Sequence, residues 1–481
     1  WSTPSKEISV EDGRIVSSYT QEDNEETTKL DYNDNDIEET DKIATGKVVS
    51  IIKRNTRVYA GSIQETDMIH GNVIFVPVDR KIPKIRIYSS QIQQLMSKRI
   101  KVAVNNWPLK SMYPSGHYVS IIGEYGDKET ETLVMLDEYD IRYKPFSPAV
   151  MECTPKEDYV ISPEEMIGRK DIRESHCVCS IDPPGCTDID DALHARQLPD
   201  GNYEIGVHIA DVTHYMKVNT ALDDEASHRG TSVYLVDRRI DMIPTILSGN
   251  ICSLRPNVDR LAFSVVWKFS PDGKILDTTF FRSIIHSRRA FTYEQAQKVL
   301  DSDANDDVAT GVRILHKFSI ILNKERIANG ALKLESPVAK FTLDENKNPV
   351  ELKPYTSFST NKLVEEFMLL ANCSVGKFIL KRFPGFACLR RHPVPAEERF
   401  KTLHAVAKKF NVSMNTESNR KLADSLDGAI VEGFPLFNRL LRTLAVFSMT
   451  QAKYFISGDY DEKLFYHYGL ADPIYTHFTS P

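Results

Sequence analysis

The 481-residue sequence contains no run of about 18 apolar residues, the length that a helix needs to cross a membrane. Its polar N-terminus has no signal-peptide core. The seven cysteines are an odd number and lack the spacing of a disulfide framework. We therefore expect neither a membrane protein nor a secreted one, but an intracellular protein in a reducing environment without a disulfide-linked partner.

An overall positive charge is also missing, since the formal net charge is −7. This does not exclude nucleic-acid binding, because the charges are segregated along the chain. Residues 1–44 carry 13 acidic and 4 basic side chains, whereas residues 45–110 carry 12 basic and 3 acidic ones. The second segment has the local positive charge that a polyanion-binding surface needs, and Lys53 and Arg54 are candidate contacts in it.

The first 140 residues predict a tail followed by a barrel. Residues 1–44 have few aliphatic and aromatic side chains, which predicts an acidic flexible linker or tail. Residues 45–141 contain five or six short β-prone runs separated by Gly, Asp and Pro turns, which is typical of an oligonucleotide-binding (OB) barrel. Four aromatic residues are candidates for base stacking, although most aromatics of small barrels are core: Tyr59, Phe75, Tyr88 and Trp107.

Residues 142–175, with several prolines, are predicted to connect the barrel to a second domain, residues 176–481. Two hairpin patterns with turns at 199–202 and 271–273 are followed by a series of helical patterns. These helical patterns cover residues 293 onward, 308–329, 361–382, 400–410 and 437–456. The predicted fold class is therefore multidomain, with a small all-β barrel followed by an α+β domain built on an antiparallel sheet.

Four aspartates lie within ten residues of the second domain: Asp182, Asp188, Asp190 and Asp191. A strand pattern ends there at Pro183-Pro184-Gly185, so the acids lie where a strand opens into a loop. Clustered carboxylates raise each other's pKa unless a cation compensates them, and hard oxygen ligands favour Mg²⁺, with Mn²⁺ as a substitute. Such a site can catalyse displacement at phosphorus. The alternatives are a solvated acidic turn and a structural calcium loop, although the spacing of an EF-hand is absent.

Other residues are weaker candidates. The ring of Tyr234 could contact a terminal base, or it could be ordinary strand core. Arg390, Arg391 and His392 could hold phosphates, or they could form a solvated loop. Glu366 is a further candidate nucleic-acid contact, although a Glu-Glu pair on a helix is usually exposed to solvent. His176 with Cys177-x-Cys179 and Cys186 fits no common zinc motif, which favours buried thiols.

The motifs around these residues resemble a known family. Residues 179–194, Cys-Ser-Ile-Asp-Pro-Pro-Gly-Cys-Thr-Asp-Ile-Asp-Asp-Ala-Leu-His, followed by Gly-Val-His-Ile-Ala-Asp-Val at 206–212, resemble the catalytic domain of the ribonuclease II (RNB) family. Further matches lie at 229–235, 364–372, 389–392 and 467–471. The resemblance covers almost everything from residue 46 onward.

The resemblance implies processive 3′-to-5′ hydrolysis of single-stranded RNA to nucleoside 5′-monophosphates, with Mg²⁺ bound by the four aspartates. It implies that loss of Asp190 abolishes cleavage but spares RNA binding, and that Tyr234 clamps the 3′-terminal base. The barrel matches the family's second cold-shock-like domain. Within the family the sequence is most similar to catalytic subunits of the eukaryotic RNA exosome, which implies exosome core subunits as partners and a location in the nucleus, nucleolus and cytoplasm.

The family pattern continues beyond Pro481 with an arginine-rich segment and a C-terminal RNA-binding barrel. We therefore expect this sequence to be a fragment of a larger enzyme, and its activity by itself is an open question. Two alternatives to the exoribonuclease remain open. One is an RNA-binding protein that keeps the RNB scaffold without turnover, and the other is a scaffold within a multi-subunit complex.

Overall fold

A computed structural model describes residues 6–11, 14–19, 49–50, 52, 57–69, 72–334, 339–346, 348–354 and 357–481. The chain divides into two compact units, residues 1–144 and 145–481. Lys53 and Arg54, and most of the first strand predicted at 46–52, lie outside the described residues. The features below concern the described part of each unit.

The first unit begins with two antiparallel strands, β1 (Lys6–Glu11) and β2 (Arg14–Tyr19). Local β pairing thus occurs in a segment whose composition predicts no regular structure. Its role as a linker or tail remains a prediction.

The rest of the first unit is a closed five-stranded barrel with the order β3-β4-β5-β7-β6. Its largest buried side chains are apolar and alternate along the strands, as Ile85 and Ile87 do. The OB-like barrel predicted from the sequence is therefore confirmed. The strands and helices of this part are β3 (Val58–Ile69), β4 (Asn72–Pro77), β5 (Ile85–Tyr88), α1 (Ile92–Leu95), β6 (Lys98–Asn106), β7 (Ser115–Glu124) and α2 (Lys128–Glu138).

The second unit is an α+β domain built on one six-stranded sheet. The elements as far as the end of that sheet are α3 (Pro148–Glu152), α4 (Pro163–Met166), β8 (Lys170–Asp171), β9 (Val178–Asp182), β10 (Asp191–Gln197), β11 (Tyr203–Ala210), α5 (Val212–Tyr215), α6 (Ala221–Arg229), β12 (Val233–Tyr234), β13 (Arg239–Ile240), β14 (Asp259–Phe269) and β15 (Ile275–Thr292). A short π-helix covers Leu247–Ile251.

The remaining elements of the second unit are mainly helical. They are α7 (Tyr293–Leu300), α8 (Asp307–Ala328), β16 (Ala339–Leu343), β17 (Pro349–Pro354), α9 (Ser359–Arg382), β18 (Cys388–Arg391), α10 (Lys401–Lys409), α11 (Asn419–Gly428), α12 (Phe437–Ser448) and β19 (Lys453–Ile456). Three 3₁₀ turns cover Glu397–Phe400, Ser457–Asp459 and Glu462–Leu464.

The sheet has the order β14-β11-β10-β9-β15-β8. The long strand β15 pairs antiparallel with β14 along its first part and parallel with β9 along its last part. Both predicted hairpins, β10–β11 and β14–β15, are confirmed. The prediction of a purely antiparallel sheet was wrong, because β15 also runs parallel to β8 and β9.

The sheet is buried on both faces, since alternate residues of its strands enter different cores. Cys179 and Leu193 pack in the core that includes α7, α8 and α9, whereas Val178 and Ala192 pack in a second core with α3, α5 and α6. A third core lies among α10, α11 and α12.

Two predicted boundaries differ from the structure. Residues 145–175, predicted to be a connection, belong to the second unit, where Val150 and Ile172 are buried in its core. The predicted helix at 437–456 ends at Ser448, and residues 453–456 form β19.

Among the described residues, no helix is both long enough and apolar enough to span a membrane. All seven cysteines are free thiols.

Candidate active site

Residues 182–191, the aspartate loop, join two neighbouring strands of the six-stranded sheet. β9 ends at Asp182 and β10 begins at Asp191, and these strands pair through Cys179 and Leu193. Gly185 in the turn has a φ of 80°, which glycine adopts without a steric penalty. The sheet therefore fixes both ends of the loop, as the sequence predicts.

Burial and mutual repulsion raise the pKa of three of the four acids. Burial, together with the charge of Asp188, raises the pKa of Asp182 to about 6. Burial and the charges of Asp188 and Asp182 raise the pKa of Asp190 to about 7. Burial and the charges of Asp182 and Asp190 raise the pKa of Asp191 to about 8. The structure thus brings the four predicted acids together into one electrostatically coupled group.

Two carboxylate oxygens of the loop, Oδ2 of Asp182 and Oδ2 of Asp191, are buried without a hydrogen-bond partner among the described residues. Leaving a buried acceptor unsatisfied is unfavourable. A divalent cation would satisfy both oxygens and lower the raised pKa values. Because the donors are all carboxylate oxygens, the residues present fit Mg²⁺ or Mn²⁺.

Two side chains from outside the loop contact the carboxylate of Asp188. Nη1 of Arg239 forms an ion pair with Oδ1, and the hydroxyl of Tyr234 donates a hydrogen bond to Oδ2 at 2.6 Å. Arg239 and Tyr234 lie opposite each other in the two-stranded ribbon β12–β13. Sequence reasoning missed Arg239, although Asp237-Arg238-Arg239 follows Tyr234 closely and was a usable signal.

Tyr234 is 68% exposed, so it is not the strand-core residue that the sequence left as an alternative. Its hydroxyl is held at the aspartate loop while its ring faces solvent. Burial of the hydroxyl and the hydrogen bond to Asp188 raise the pKa of Tyr234 above its usual value. This geometry places an accessible aromatic ring beside the acids.

The backbone of the aspartate loop is held by residues that sequence reasoning also missed. Ser253 Oγ accepts a hydrogen bond from the Ile189 amide at 3.1 Å and donates one to the Thr187 carbonyl at 2.8 Å. The buried Arg260 in turn donates from Nε to the Ser253 carbonyl at 2.9 Å. These contacts lie far apart in sequence, so no local pattern indicates them.

Arg390, Arg391 and His392 lie at and just after β18, which pairs with β19, and are not in a solvated loop. Nη1 of Arg390 lies 3.1 Å from Nδ1 of His477, and the guanidinium of Arg391 lies 4.1 Å from the ring centre of Tyr460. His392 is buried. In the described structure the contacts of these three side chains go to partners outside the aspartate loop, and their RNA contacts remain a prediction.

Glu366, a predicted RNA contact, is buried between α8 and α9. It is 2% exposed, and its carboxylate accepts hydrogen bonds from Asn323 Nδ2 at 2.6 Å and from Nη2 of Arg326 at 2.6 Å. The residue therefore connects α8 to α9 inside the domain. The alternative of a solvent-exposed residue is wrong, and an RNA contact of this buried, paired carboxylate remains a prediction.

The surface of the barrel keeps only part of its predicted positive charge. Lys101 pairs with Asp137 at 2.7 Å and Arg99 pairs with Glu131 at 2.9 Å, both acids being on α2. Residues 111–141 carry seven acidic side chains and one lysine, so they reduce the charge of the preceding segment. Among the aromatic candidates, Tyr88 and Trp107 are exposed and Tyr59 is half-buried. Phe75 is fully buried, which confirms the core alternative for this residue.

Comparisons with known protein families agree with this architecture. Residues 169–481 match the model of the RNB domain. Residues 72–140 match the model of the Dis3-like cold-shock domain 2 (CSD2).

Two curated relatives show the extent of the similarity. The chain is 50% identical over 440 residues to the mouse protein named exosome complex exonuclease RRP44, covering 91% of this chain and 46% of the relative. It is 43% identical over 497 residues to the Schizosaccharomyces pombe protein named exosome complex exonuclease dis3, covering 100% of this chain and 51% of the relative. The chain thus spans about half the length of the curated relatives it matches.

Solved structures share the fold at lower identity. Mycoplasma genitalium RNase R, in complex with ribose methylated single-stranded RNA, matches with a TM-score of 0.78 at 21% identity, covering 93% of this chain and 69% of that one. Yeast Ssd1, described as a pseudonuclease, matches with a TM-score of 0.73 at 21% identity, covering 92% of this chain and 55% of that one. From the family match over most of its length, we conclude that the chain belongs to the RNB family.

Proposed function

We propose that this chain is the central part of a Mg²⁺-dependent, processive 3′-to-5′ exoribonuclease that hydrolyses single-stranded RNA to nucleoside 5′-monophosphates. The observation that carries the proposal is the pair of orphaned carboxylate oxygens on Asp182 and Asp191, next to carboxyl groups whose pKa values are raised. Relatives named as exosome exonucleases support the reaction class. They also support exosome core subunits as partners. A location in the nucleus, including the nucleolus, and in the cytoplasm is part of the proposal and follows from family resemblance alone.

In this proposal Asp182, Asp188, Asp190 and Asp191 hold the divalent metal. When bound, Mg²⁺ supplies charge stabilisation at the scissile phosphate and an activated water. The chain's own residues position the reacting groups. Ser253 and Arg260 hold the loop that carries the acids, and Arg239 offsets negative charge at Asp188.

Tyr234 is proposed to contact the terminal base of the RNA. Its exposed ring offers a stacking face, and its hydroxyl is fixed to Asp188. A base stacked on this ring would bring the adjacent phosphodiester close to the carboxylates. In this proposal, recognition of the strand end and hydrolysis occur next to each other.

A second candidate function is RNA binding without turnover, because the same fold occurs in the pseudonuclease Ssd1. The two candidates differ in what they require of the acids. A nuclease needs Asp190 for hydrolysis, whereas a binding protein does not need it once the fold has formed.

The test uses 3′-labelled single-stranded RNA with Mg²⁺ or with EDTA. It is carried out on this chain and on a version extended to the full length of its relatives. We expect mononucleotide release that EDTA abolishes, and at least about a thousandfold slower turnover for Asp190→Asn, because a major electrostatic contribution to the transition state is removed. RNA affinity should stay within about threefold, since phosphate contacts elsewhere supply most of it.

The matched control is Asp200→Asn, an aspartate in the hairpin turn that is paired with Lys268. Its turnover should equal that of the unchanged protein. If the extended protein binds RNA but releases no mononucleotide, and EDTA has no effect, the binding function is correct. If Asp190→Asn loses RNA binding in proportion to turnover, the residue is structural.

A further inference from the structure

A second group of potential metal ligands lies within the sheet, apart from the aspartate loop. His176 precedes β9, His194 lies on β10 and Glu204 lies on β11. Both imidazoles are buried, and their rings meet edge to face with centroids 4.6 Å apart. Gly206 makes room for them, because a Cβ at that position would lie 2.3 Å from Cε1 of His194.

Two of the three distances between the potential ligand atoms match a tetrahedral metal site. Nε2 of His176 lies 3.1 Å from Oε1 of Glu204, and Nε2 of His194 lies 3.5 Å from the same oxygen. All three ligand atoms lie within 4.8 Å of one another. Bonds of about 2.0–2.1 Å in a tetrahedral Zn²⁺ site place neighbouring ligand atoms about 3.3 Å apart, so the two distances bracket the expected value.

Nε2 of His194 is buried and, among the described residues, has no hydrogen-bond partner, its nearest acceptor being Oε1 of Glu204 at 3.5 Å, whereas the other ring nitrogen is engaged. Its Nδ1 lies 2.8 Å from Nε2 of His208, and Nδ1 of His208 lies 2.7 Å from Oγ of Ser264. Ser264 Oγ contacts Ser283 Oγ at 2.6 Å, and Ser283 donates to the carbonyl of Ala262 at 3.3 Å.

The direction of this chain of hydrogen bonds that suits a metal ligand starts from the Ala262 carbonyl. A carbonyl can only accept, so the Ser283 hydroxyl donates to it and accepts from Ser264. His208 then donates to Ser264, and Nδ1–H of His194 donates to His208. Nε2 of His194 is left with its lone pair facing His176 and Glu204, which is the tautomer that a metal-binding histidine adopts when its other nitrogen donates to a neighbour.

The other two ligands are oriented in a similar way. Nδ1 of His176 lies 2.7 Å from Oγ of Ser175, and a hydrogen bond donated by Nδ1–H to that oxygen leaves the lone pair of Nε2 directed at the cluster. Without a metal, Nε2 lies within hydrogen-bond distance of Oε1 of Glu204, at 3.1 Å. Glu204 Oε1 accepts a hydrogen bond from Nε of Arg196 at 2.7 Å. Such supporting contacts to ligands are typical of metal sites.

We propose that His176, His194 and Glu204 bind one structural Zn²⁺ ion, with its fourth position open to water. Two imidazoles and one carboxylate suit zinc, whereas the oxygen-only aspartate loop suits Mg²⁺. The ion would fasten the segment before β9 to β10 and β11. It would therefore brace the two strands that begin and end at the aspartate loop.

The test loads chelator-treated protein, the full chain, with Zn²⁺ or Co²⁺ and measures bound metal and the visible spectrum of the Co²⁺ form. We expect one Zn²⁺ per chain, intense tetrahedral Co²⁺ bands without a thiolate charge-transfer band, and a higher Tm on Zn²⁺ binding. Glu204→Gln and His194→Ala should each weaken Zn²⁺ binding at least about a hundredfold.

Two variants serve as controls. His228→Ala removes an exposed histidine outside the cluster and should leave Zn²⁺ binding unchanged. Asp190→Asn should also retain one Zn²⁺, which separates this site from the aspartate loop and from the proposed nuclease activity. The proposal is overturned if unchanged protein binds no Zn²⁺, if Co²⁺ shows only octahedral bands, if a thiolate band indicates the nearby cysteines, or if Asp190→Asn abolishes binding.

Discussion

Two acid-rich regions of the second unit differ in how their carboxylates are compensated. In the Arg169 network, which consists of Tyr159, Glu165, Arg169, Asp211 and His214, Arg169 and Asp211 form an ion pair at 2.7 Å, with both side chains 3% exposed. In the aspartate loop, Asp182 and Asp191 each leave an oxygen without a partner among the described residues. In the Arg169 network protein groups contact both carboxylates, although Nη1 of Arg169 is itself buried without a hydrogen-bond partner among the described residues. In the aspartate loop no described protein donor reaches the two oxygens, and a cation is the proposed partner.

The pKa values of the two regions move in opposite directions. Burial would raise the pKa of Glu165, but hydrogen bonds from Tyr159, Ser162 and His214 outweigh it and lower the pKa to about 2. For Asp191 the described residues provide no equivalent donors, so burial and repulsion raise its pKa to about 8. Carboxylates are therefore compensated by protein donors in one region, and in the other they are left for the cation that we propose.

The largest effect on stability is expected from disrupting the Arg169 network. Arg169→Met removes the charge that compensates the buried Asp211 and should lower the free energy of unfolding by about 3–5 kcal/mol, measured by urea denaturation. Lys274→Met, which disrupts an exposed pair with Asp272, is the control and should cost about 1 kcal/mol or less. Equal effects of the two variants would show that the buried pair is not needed.

The two regions should affect the stability of the protein in different pH ranges. In protein freed of divalent metal, the folded pKa values of Asp190 and Asp191 lie above their unfolded values, so the free energy of unfolding should fall as pH rises through 7 and 8. The change should be about 1–3 kcal/mol between pH 6 and pH 8. Asp191→Asn should make the free energy of unfolding depend less on pH in this range. Saturating Mg²⁺ should offset the loss of stability at high pH. An unchanged slope in Asp191→Asn would contradict the assignment.

The Arg169 network should respond at the acidic end. The folded pKa of Glu165 lies below its unfolded value, so its contribution is present above about pH 4.5 and is lost as pH falls towards 2. Glu165→Gln should remove this part of the acid sensitivity and leave the slope at pH 6 to 8 intact. A change at neutral pH instead would mean that the two regions are coupled.

A smaller effect, on RNA binding, is expected at Tyr234, whose hydroxyl donates a hydrogen bond to the aspartate loop. Tyr234→Ala removes the exposed ring and should weaken binding of RNA by about 1–3 kcal/mol, the contribution of one stacked base. Tyr234→Phe keeps the ring, loses only the hydrogen bond to Asp188, and serves as the matched control with an affinity change of about threefold or less. If both variants bind RNA like the unchanged protein, the ring does not contact the RNA.

The smallest effect concerns positive charges that the sequence alone indicates. Reversing Lys53 and Arg54 to glutamate should make the dependence of log affinity for single-stranded RNA on log salt shallower by about 0.7 for each phosphate that the protein no longer neutralises. Lys101, already paired with Asp137, provides the control, because Lys101→Gln should leave the slope unchanged. An unaltered slope in the double variant would remove these two residues from the RNA path.

Local signals explain what could be predicted from the sequence. The turn at 199–202 contains Asp200 and Gly201, which favour a tight turn whatever the surroundings, and the hairpin follows. Thr292 and Gln295 form a capping box, so the start of α7 could be read from four residues. The four aspartates were found for the same reason, because the loop is contiguous in sequence.

Contacts distant in sequence explain what could not be predicted. Glu366 is buried because Arg326, on another helix, compensates it, and no pattern within α9 indicates this partner. Arg239 contacts Asp188 only because the folded chain brings β13 next to the aspartate loop. Residues 453–456 continue an apolar pattern that suits a helix, but pairing with β18 makes them a strand.

The hydrogen bonds from Ser253 to the backbone of the aspartate loop have a consequence for ion capture. Because the loop is tied to the sheet at both ends and from Ser253, its carboxylates do not have to be gathered from a disordered state when a cation arrives. The entropic cost of arranging these carboxylates is incurred during folding and not when a cation binds. If the loop binds a cation as proposed, removing the Ser253 hydroxyl would therefore lower the affinity for that cation without removing any of its ligands.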